Sequence, residues 1–272
     1  MRKIKFGENI MPAIAAHYYF GQEVYDQLPN KIKNTIDKSK DAFDLGLQGP
    51  DIFFYYQPYK KNIVEKFGQN LHKEQVFNFI EKAVTLLKNK SNKYIFSYLL
   101  GFSCHFILDS SCHSLINKLA PSTIEHFQLE TELDRMIIEK NGFAAAESFK
   151  RWKLIPACEK IPQALALIYQ PRTKAEIDTA IKSMVFYSRL LYSPRGIKKG
   201  LLLAIEKCLG KTGLFTSLII AKKPYERYTE PAREIMPLYD LALDVAVLQL
   251  ENIYVAVKED IVLSERLKRT FE

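Results

Sequence analysis

The sequence has few of the features that point to a disulfide-stabilised, membrane-spanning or β-rich protein. Its 272 residues include 11 glycines and 4 cysteines, and runs of β-branched residues are scarce. No apolar run is long enough to span a bilayer without charges. A Gly-rich phosphate loop, a dinucleotide-binding motif and a GxSxG nucleophile elbow are also missing. These absences favour a helical globular protein and argue against nucleotide-binding enzymes and serine hydrolases.

The four cysteines, Cys104, Cys112, Cys158 and Cys208, form no CxxC pair and no dense framework. This usage is typical of reduced, mostly buried thiols in an intracellular protein, so we expect neither a disulfide nor a thiolate ligand. The first residues mix basic and apolar side chains, but the apolar stretch is shorter than that of a secretory signal and contains Pro12. We therefore expect a cytoplasmic protein without a signal peptide.

Hydrophobic periodicity predicts an all-α fold, with a single helical domain over residues 1–272. Helices are expected at 13–28, 31–45, 73–90, 93–120 and 122–140, and near 173–192, 196–208 and 231–258. Glycines and a proline at 46–50 predict a turn that carries Asp51, and a second irregular stretch is expected around 67–72. The sequence shows no internal repeat and no convincing linker.

The central predicted helix is apolar on nearly all sides, yet it carries His105, Asp109 and His113 at intervals of four residues. Residues four apart lie one turn apart on one helix face, about 6 Å along the axis. The two histidines are then about 12 Å apart along the axis, which is too far for one zinc ion with bonds of about 2 Å. Asp109 lies between them and has two oxygens. The next helix adds His126 and Glu130, again one turn apart.

A carboxylate on a buried apolar helix is costly unless a cation or a hydrogen-bonding partner neutralises it. Neutral imidazoles and carboxylates are ligands that Zn²⁺ accepts. A lone buried histidine is more often a hydrogen-bonded core residue than a ligand. The combination on two helix faces nevertheless predicts at least two bound divalent ions.

The residues around these positions resemble the successive motifs of zinc-dependent phospholipase C. The resemblance covers roughly residues 12–135. Its segments, which contain all five histidines of the chain, are AHYYFGQEV, GPDIFFYY, NLHKE, GFSCHFILDSSCHSLI and EHFQLETELD. It implies an all-helical bundle around a multi-metal site, and the fungal single-strand nucleases share a related fold and site.

The resemblance also implies a set of zinc ligands. The first zinc would be held by Asp51, His72, His105 and Asp109, the second by His113, His126 and Glu130, and a third by His17 with Asp109 as a bridge. Secreted members hold the third zinc with an N-terminal tryptophan as well, whereas the only tryptophan here is Trp152. Two zinc ions are therefore expected, and a third position is open. The family further suggests that Asp51 accepts a proton besides acting as a ligand.

The predicted function is metal-dependent hydrolysis of phosphodiesters by an activated water, in the manner of phospholipase C. The alternatives are a nuclease or phosphatase that acts on soluble phosphoesters, and a non-catalytic metal-binding protein. The formal charge of +8 favours an anionic substrate, with phospholipid among the candidates. No stable complex with nucleic acid is expected. Neither is a C-terminal lipid-binding domain like that of the toxin-like members, which weakens the case for intact bilayers as substrate.

The stretch from residue 200 to residue 223 mixes lysines with apolar residues. A buried helical hairpin is the favoured interpretation of this pattern. Transient contact with a membrane surface is the alternative.

Overall fold

The computed structural model describes residues 13–208 and 213–271. These residues form helices and contain no β-strand, which confirms the predicted all-α class. The α-helices in chain order are α1 (Ile14–Gln27), α2 (Asn30–Asp37), α3 (Lys40–Gly46), α4 (Ile63–Lys73), α5 (Val76–Asn89), α6 (Lys93–Leu119), α7 (Thr123–Lys140), α8 (Lys160–Ile168), α9 (Lys174–Leu190), α10 (Ile197–Cys208) and α11 (Glu226–Lys258). Short 3-10 helices lie at Gly49–Tyr55, Ala146–Ser148, Arg151–Leu154, Thr216–Leu218 and Glu265–Lys268.

Helix α6 is the axis of the fold. Every residue from Ile95 to Asp109 is buried, as its apolar sequence predicts. The side chain of Asn92 caps the helix by accepting hydrogen bonds from the amides of Tyr94 and Ile95. Among the described residues, α6 alone is long and apolar enough to cross a membrane, and 89% of its most apolar stretch is buried inside the protein.

Helix α3 packs closely against α6 because a glycine of α6, Gly101, brings no side chain to the contact. A Cβ atom on Gly101 would lie 2.1 Å from the carbonyl oxygen of Phe43. This close approach fixes the end of α3 against the middle of α6. The 3-10 helix Gly49–Tyr55, which follows α3, consequently lies beside the helix face that carries His105.

Helix α7 holds the start of α1 in place. Asp134 is buried, and its carboxylate accepts hydrogen bonds from the Ala16 amide at 2.8 Å and from Arg151 at 3.1 Å. Because α1 has no side-chain cap of its own, Asp134 satisfies an amide that the first helical turn leaves free. This contact fixes the position of the next residue, His17.

Several predicted boundaries are wrong. The helix expected at 31–45 is two helices, because Ser39 adopts an extended φ of −159° and lets α3 turn towards α6. The stretch 67–72, expected to be irregular, belongs to α4, where Gly68 packs on Phe53. Helix α8 was not predicted, and the helix expected from 231 begins at Glu226, which leaves Pro231 inside it.

The buried hairpin expected at 200–223 is also wrong. Helix α10 leaves most of its side chains exposed, and the mostly buried chain from Leu214 to Ile220 forms a turn, the 3-10 helix Thr216–Leu218 and an extended residue, Ile219. The apolar pattern of this stretch is therefore divided between a buried segment and an exposed helix.

Candidate metal centre

The predicted site residues meet in one buried cluster. His17 comes from α1, Asp51 from the Gly49–Tyr55 helix, His72 from α4, three residues from α6 (His105, Asp109 and His113), and two from α7 (His126 and Glu130). The helix α6 runs without interruption through Asp109 and His113, as the four-residue interval between them predicts.

Asp109 lies at the middle of the cluster, and its two oxygens face different histidines. Its Oδ1 atom is 3.2 Å from His17 Nε2 and 3.8 Å from His113 Nε2. Its Oδ2 atom is 3.1 Å from His105 Nε2. The rings of His17 and His105 stack with their centroids 4.1 Å apart. Asp109 thus connects histidines from two helices.

The other two carboxylates lie at opposite ends of the cluster. Asp51 Oδ1 is 3.0 Å from His72 Nε2 and 3.9 Å from His105 Nε2. Glu130 Oε1 is 3.0 Å from His126 Nε2 and 3.5 Å from His113 Nε2. Every carboxylate of the cluster therefore faces at least two imidazoles.

Backbone carbonyls orient three of the imidazole rings. The Nδ1 atoms lie at hydrogen-bond distance from carbonyl oxygens: His72 from Gly68 at 2.8 Å, His105 from Leu47 at 3.2 Å, and His113 from Phe271 at 3.1 Å. A carbonyl can only accept, so each Nδ1 carries the proton and donates it. The Nε2 atoms face the cluster and can offer a lone pair to a metal ion.

Four polar atoms in the cluster are buried without a hydrogen-bond partner: His17 Nδ1, His105 Nε2, Asp109 Oδ2 and Glu130 Oε2. His105 Nε2 and Asp109 Oδ2 are close to each other but lack hydrogen-bond geometry. Unsatisfied buried groups are rare and each costs free energy, so this concentration is unusual in a protein core. Nitrogen and oxygen atoms whose lone pairs accept no hydrogen bond can serve as ligands of a cation.

The ligand atoms fall into groups of three whose members lie within 4.8 Å of one another. The groups are His17, Asp51 and His105; His72, His105 and Asp109; and His113, His126 and Glu130. The last group is the set of ligands expected for the second zinc. The first two share His105, and together they contain the residues expected for the first zinc.

The carboxylates and imidazoles shift each other's pKa values strongly. Burial would raise the pKa of Asp109, but His105, His113 and His17 outweigh it and hold the pKa well below its usual range. Burial likewise opposes the effect of His126 on Glu130, whose pKa falls to about 2. Asp109 and Glu130 are therefore ionised at neutral pH, and two ionised carboxylates in one buried space require positive charge nearby.

The same carboxylates act on the histidines. Burial would lower the pKa of His113, but Asp109 and Glu130 outweigh it and raise the pKa to about 10. The pKa values of His17 and His72 are also raised, because Asp109 and Asp51 outweigh the effect of burial. Without a metal ion, protons on imidazoles balance the charge of the carboxylates.

The C-terminal segment closes one side of the cluster, and sequence reasoning missed it. The Phe271 ring packs against His72 and His105, with centroids 4.8 Å and 5.7 Å away. Its carbonyl oxygen lies 3.1 Å from Nδ1 of His113, as described above. Backbone carbonyl contacts leave no residue pattern in a sequence, so no signal identifies Phe271 in advance.

The cysteines and the tryptophan lie outside the ligand groups. All four cysteines are free thiols, and burial raises the pKa of Cys112 to about 12. Trp152 packs against Tyr192, with ring centroids 4.8 Å apart. Residues 1–12 lie outside the described residues.

The fold and the cluster together define a helical metal-dependent hydrolase. The family model of zinc-dependent phospholipase C matches residues 16–183, a range that contains all eight predicted site residues. The chain belongs to the zinc-dependent phospholipase C family, as the resemblance of its motifs predicted. Comparisons with curated proteins and with solved structures gave no match.

Proposed function

We propose that the protein is a zinc-dependent phosphodiesterase that hydrolyses phospholipids in the manner of phospholipase C. The observation that carries the proposal is the buried cluster, in which imidazoles and carboxylates leave four polar atoms without partners. The family supplies the reaction class. The formal charge of +8 supports an anionic substrate.

The ligands form three sets: Asp51, His72, His105 and Asp109; His113, His126 and Glu130; and His17 with Asp109. The third set has two side chains only, so we propose two zinc ions as the resident complement. Carbonyl contacts to the Nδ1 atoms support these assignments, because they leave the Nε2 atoms free to bind.

Bound zinc supplies positive charge that stabilises a phosphate and lowers the pKa of a nearby water. The protein contributes the orientation of the ligands, the exclusion of bulk water and a proton acceptor. We assign the last role to Asp51, whose carboxylate takes the proton of the attacking water. Asp51 is suited to this because His72 and His105 fix its position.

The exposed edge of the cluster supports catalysis over a purely structural role. His126 is the most exposed of the five histidines, with 17% of its side chain accessible. A structural zinc site is normally closed on all sides, whereas a catalytic site keeps an open position. We infer that substrate reaches the cluster from the His126 side.

A screen of zinc-loaded protein tests the function. The substrates are short-chain phosphatidylcholine, single-stranded DNA and an aryl phosphodiester, each also assayed after chelation and after zinc is added back. We expect zinc-dependent release of phosphocholine as the fastest reaction. Faster cleavage of DNA would replace the lipid by a nucleic acid substrate, and no turnover of any substrate would favour a non-catalytic metal-binding protein.

Gly49 offers a test of the cluster that leaves all ligands in place. Its φ is +51°, and an added Cβ would lie 2.2 Å from the ring of His105. We expect Gly49→Ala to displace His105, to lower the zinc content and to destabilise the fold by about 2–4 kcal/mol through strain and overpacking. Elemental analysis and thermal unfolding measure these effects.

Gly142→Ala is the matched control, because this glycine has a φ of +89° and nothing within 4 Å of an added Cβ. The Gly142→Ala variant has the same kind of backbone strain but no clash. It should lower the free energy of unfolding by about 1 kcal/mol and leave the zinc content unchanged. Equal zinc contents in the two variants would contradict the role of His105 as a ligand.

A further inference from the structure

Helix α10 has its apolar face turned to solvent. Ile197, Leu201, Ile205 and Cys208 follow each other at intervals of four, four and three residues, so they share one face. The first three are 74%, 64% and 43% exposed. A surface helix normally turns such a stripe towards the core. In α10 the acidic residue Glu206 is fully buried instead.

Contacts of Glu206 explain this orientation. Its carboxylate accepts hydrogen bonds from the amides of Gly213 at 3.0 Å and Thr216 at 3.1 Å, and from the amide of Phe215. The hydroxyl of Thr216 donates to it at 2.9 Å. Turning the apolar face inward would deprive a buried carboxylate of these donors, which is costly. The exposed stripe is therefore held in place by specific bonds.

A second anchor fixes α10 to the rest of the protein. Lys199 donates a hydrogen bond to the Tyr225 hydroxyl at 3.0 Å, and its ammonium lies 4.6 Å from the centre of that ring. Tyr225 in turn donates to the carbonyl of Thr216 at 2.8 Å. The helix is thus attached by its polar side and presents its apolar side outward.

The surroundings of the stripe are basic. From Arg195 to Lys223 the sequence has seven basic residues and one acidic residue, the buried Glu206. Lys198 and Lys207 are exposed and flank the apolar face, while Lys222 and Lys223 are exposed after the Thr216–Leu218 helix. An apolar helix face with a basic border is complementary to the surface of an anionic bilayer.

The position of α10 relates this surface to the metal centre. Thr131 of α7 donates a hydrogen bond to the carbonyl of Ser217 at 2.8 Å, and Gly213 packs against Ile124. Ile124 precedes His126, the most exposed histidine of the cluster, by two residues. Because Ile124 and Thr131 share one face of α7 and His126 lies on the opposite face, the segment that holds Glu206 is separated from the cluster by the width of α7, about 10 Å.

We propose that α10 docks the protein on anionic lipid surfaces by inserting Ile197, Leu201 and Ile205 between the headgroups. The helix has 12 residues and is about 18 Å long, so its stripe covers roughly 200 Å². Stable protein interfaces bury about 800 Å² on each partner. The stripe is too small for a lasting protein partner, whereas shallow insertion beside basic residues gives reversible membrane binding.

Vesicle co-sedimentation tests the proposal. Zinc-loaded protein is mixed with vesicles of phosphatidylcholine alone or with about 30% phosphatidylglycerol, a content that gives a negative surface potential. We expect binding to the anionic vesicles that weakens as salt is raised. The triple variant Ile197→Gln, Leu201→Gln, Ile205→Gln should bind at least about tenfold more weakly, because its insertion face is polar.

The matched control is Leu241→Gln with Leu248→Gln, which changes two similarly exposed leucines on α11. We expect it to bind like the unchanged protein, and circular dichroism checks that all variants are folded. Equal binding by the triple variant, or no binding of the unchanged protein to anionic vesicles, would overturn the proposal. A dimer in sedimentation velocity that the triple variant abolishes would also overturn it, in favour of self-association through α10.

Binding to vesicles requires no hydrolysis, so this test is independent of the proposed reaction. If the protein binds vesicles but cleaves none of the substrates, the docking surface is supported and the proposed enzyme activity is refuted. If it hydrolyses short-chain lipid but does not bind vesicles, the enzyme activity is supported and the docking surface is refuted.

Discussion

Chelation of zinc should lower the melting temperature by at least about 15 °C. Each site that is saturated a thousandfold above its Kd stabilises the fold by roughly 4 kcal/mol, so two sites contribute about 8 kcal/mol. In a protein of this size, 1 kcal/mol corresponds to about 2 °C or more. The physical origin is that zinc binds the ligands of the folded cluster and not the unfolded chain, so the free energy of binding adds to the stability of the fold. Thermal unfolding with and without chelator, together with elemental analysis, measures the effect.

A variant of Glu130 tests whether the change in melting temperature on chelation comes from zinc bound at the cluster. Glu130→Gln removes a charged oxygen that lies 3.0 Å from His126 and 3.5 Å from His113. It should reduce the zinc content and reduce the shift on chelation. Glu81→Gln, at an exposed position, should change neither. Protein that is purified without chelator, contains no zinc and takes up none on addition would refute the assignment of the metal centre.

The residue types at the centre of the cluster and the central helix could be predicted from sequence because both leave local patterns. The interval of four residues between His105, Asp109 and His113 indicates one helix face, and the apolar residues around them indicate burial. A carboxylate in such a helix demands compensation, whatever the rest of the fold is. Local periodicity was therefore sufficient to predict the middle of the site.

The residues that hold the site and α10 in position could not be predicted, because they act through contacts between different segments of the chain. Phe271 contacts His113 through a backbone carbonyl, which carries no side-chain pattern. In the sequence, Asp134 does not differ from the other acidic residues of its helix. Its role depends on contacts with α1 and Arg151, which no local pattern predicts. The same holds for Glu206, whose hydrogen bonds reverse the expected orientation of α10. Periodicity predicts which residues share a face, and hydrogen bonds to other segments of the chain decide where that face points.

Asp109→Asn should remove more activity than the loss of any single histidine. Its two oxygens face different parts of the cluster, since Oδ1 lies 3.2 Å from His17 Nε2 and Oδ2 lies 3.1 Å from His105 Nε2. An amide keeps one oxygen, and without the negative charge it is a weak ligand. We expect the zinc content to fall and the rate at saturating zinc to drop on the order of a thousandfold, as when a well-placed electrostatic group is lost.

Comparison with two other variants separates this role from a general loss of charge or of a ligand. Asp244→Asn changes an exposed aspartate of α11 and should leave both rate and zinc content unaltered. His17→Ala should reduce the rate less than Asp109→Asn, because His17 faces Asp109 alone among the carboxylates within 4 Å. The rates are measured on the phosphodiester that the screen identifies, after metal content is determined. Near-normal turnover of Asp109→Asn would show that the reaction does not depend on the carboxylate that joins the two halves of the cluster, even in a protein that binds zinc.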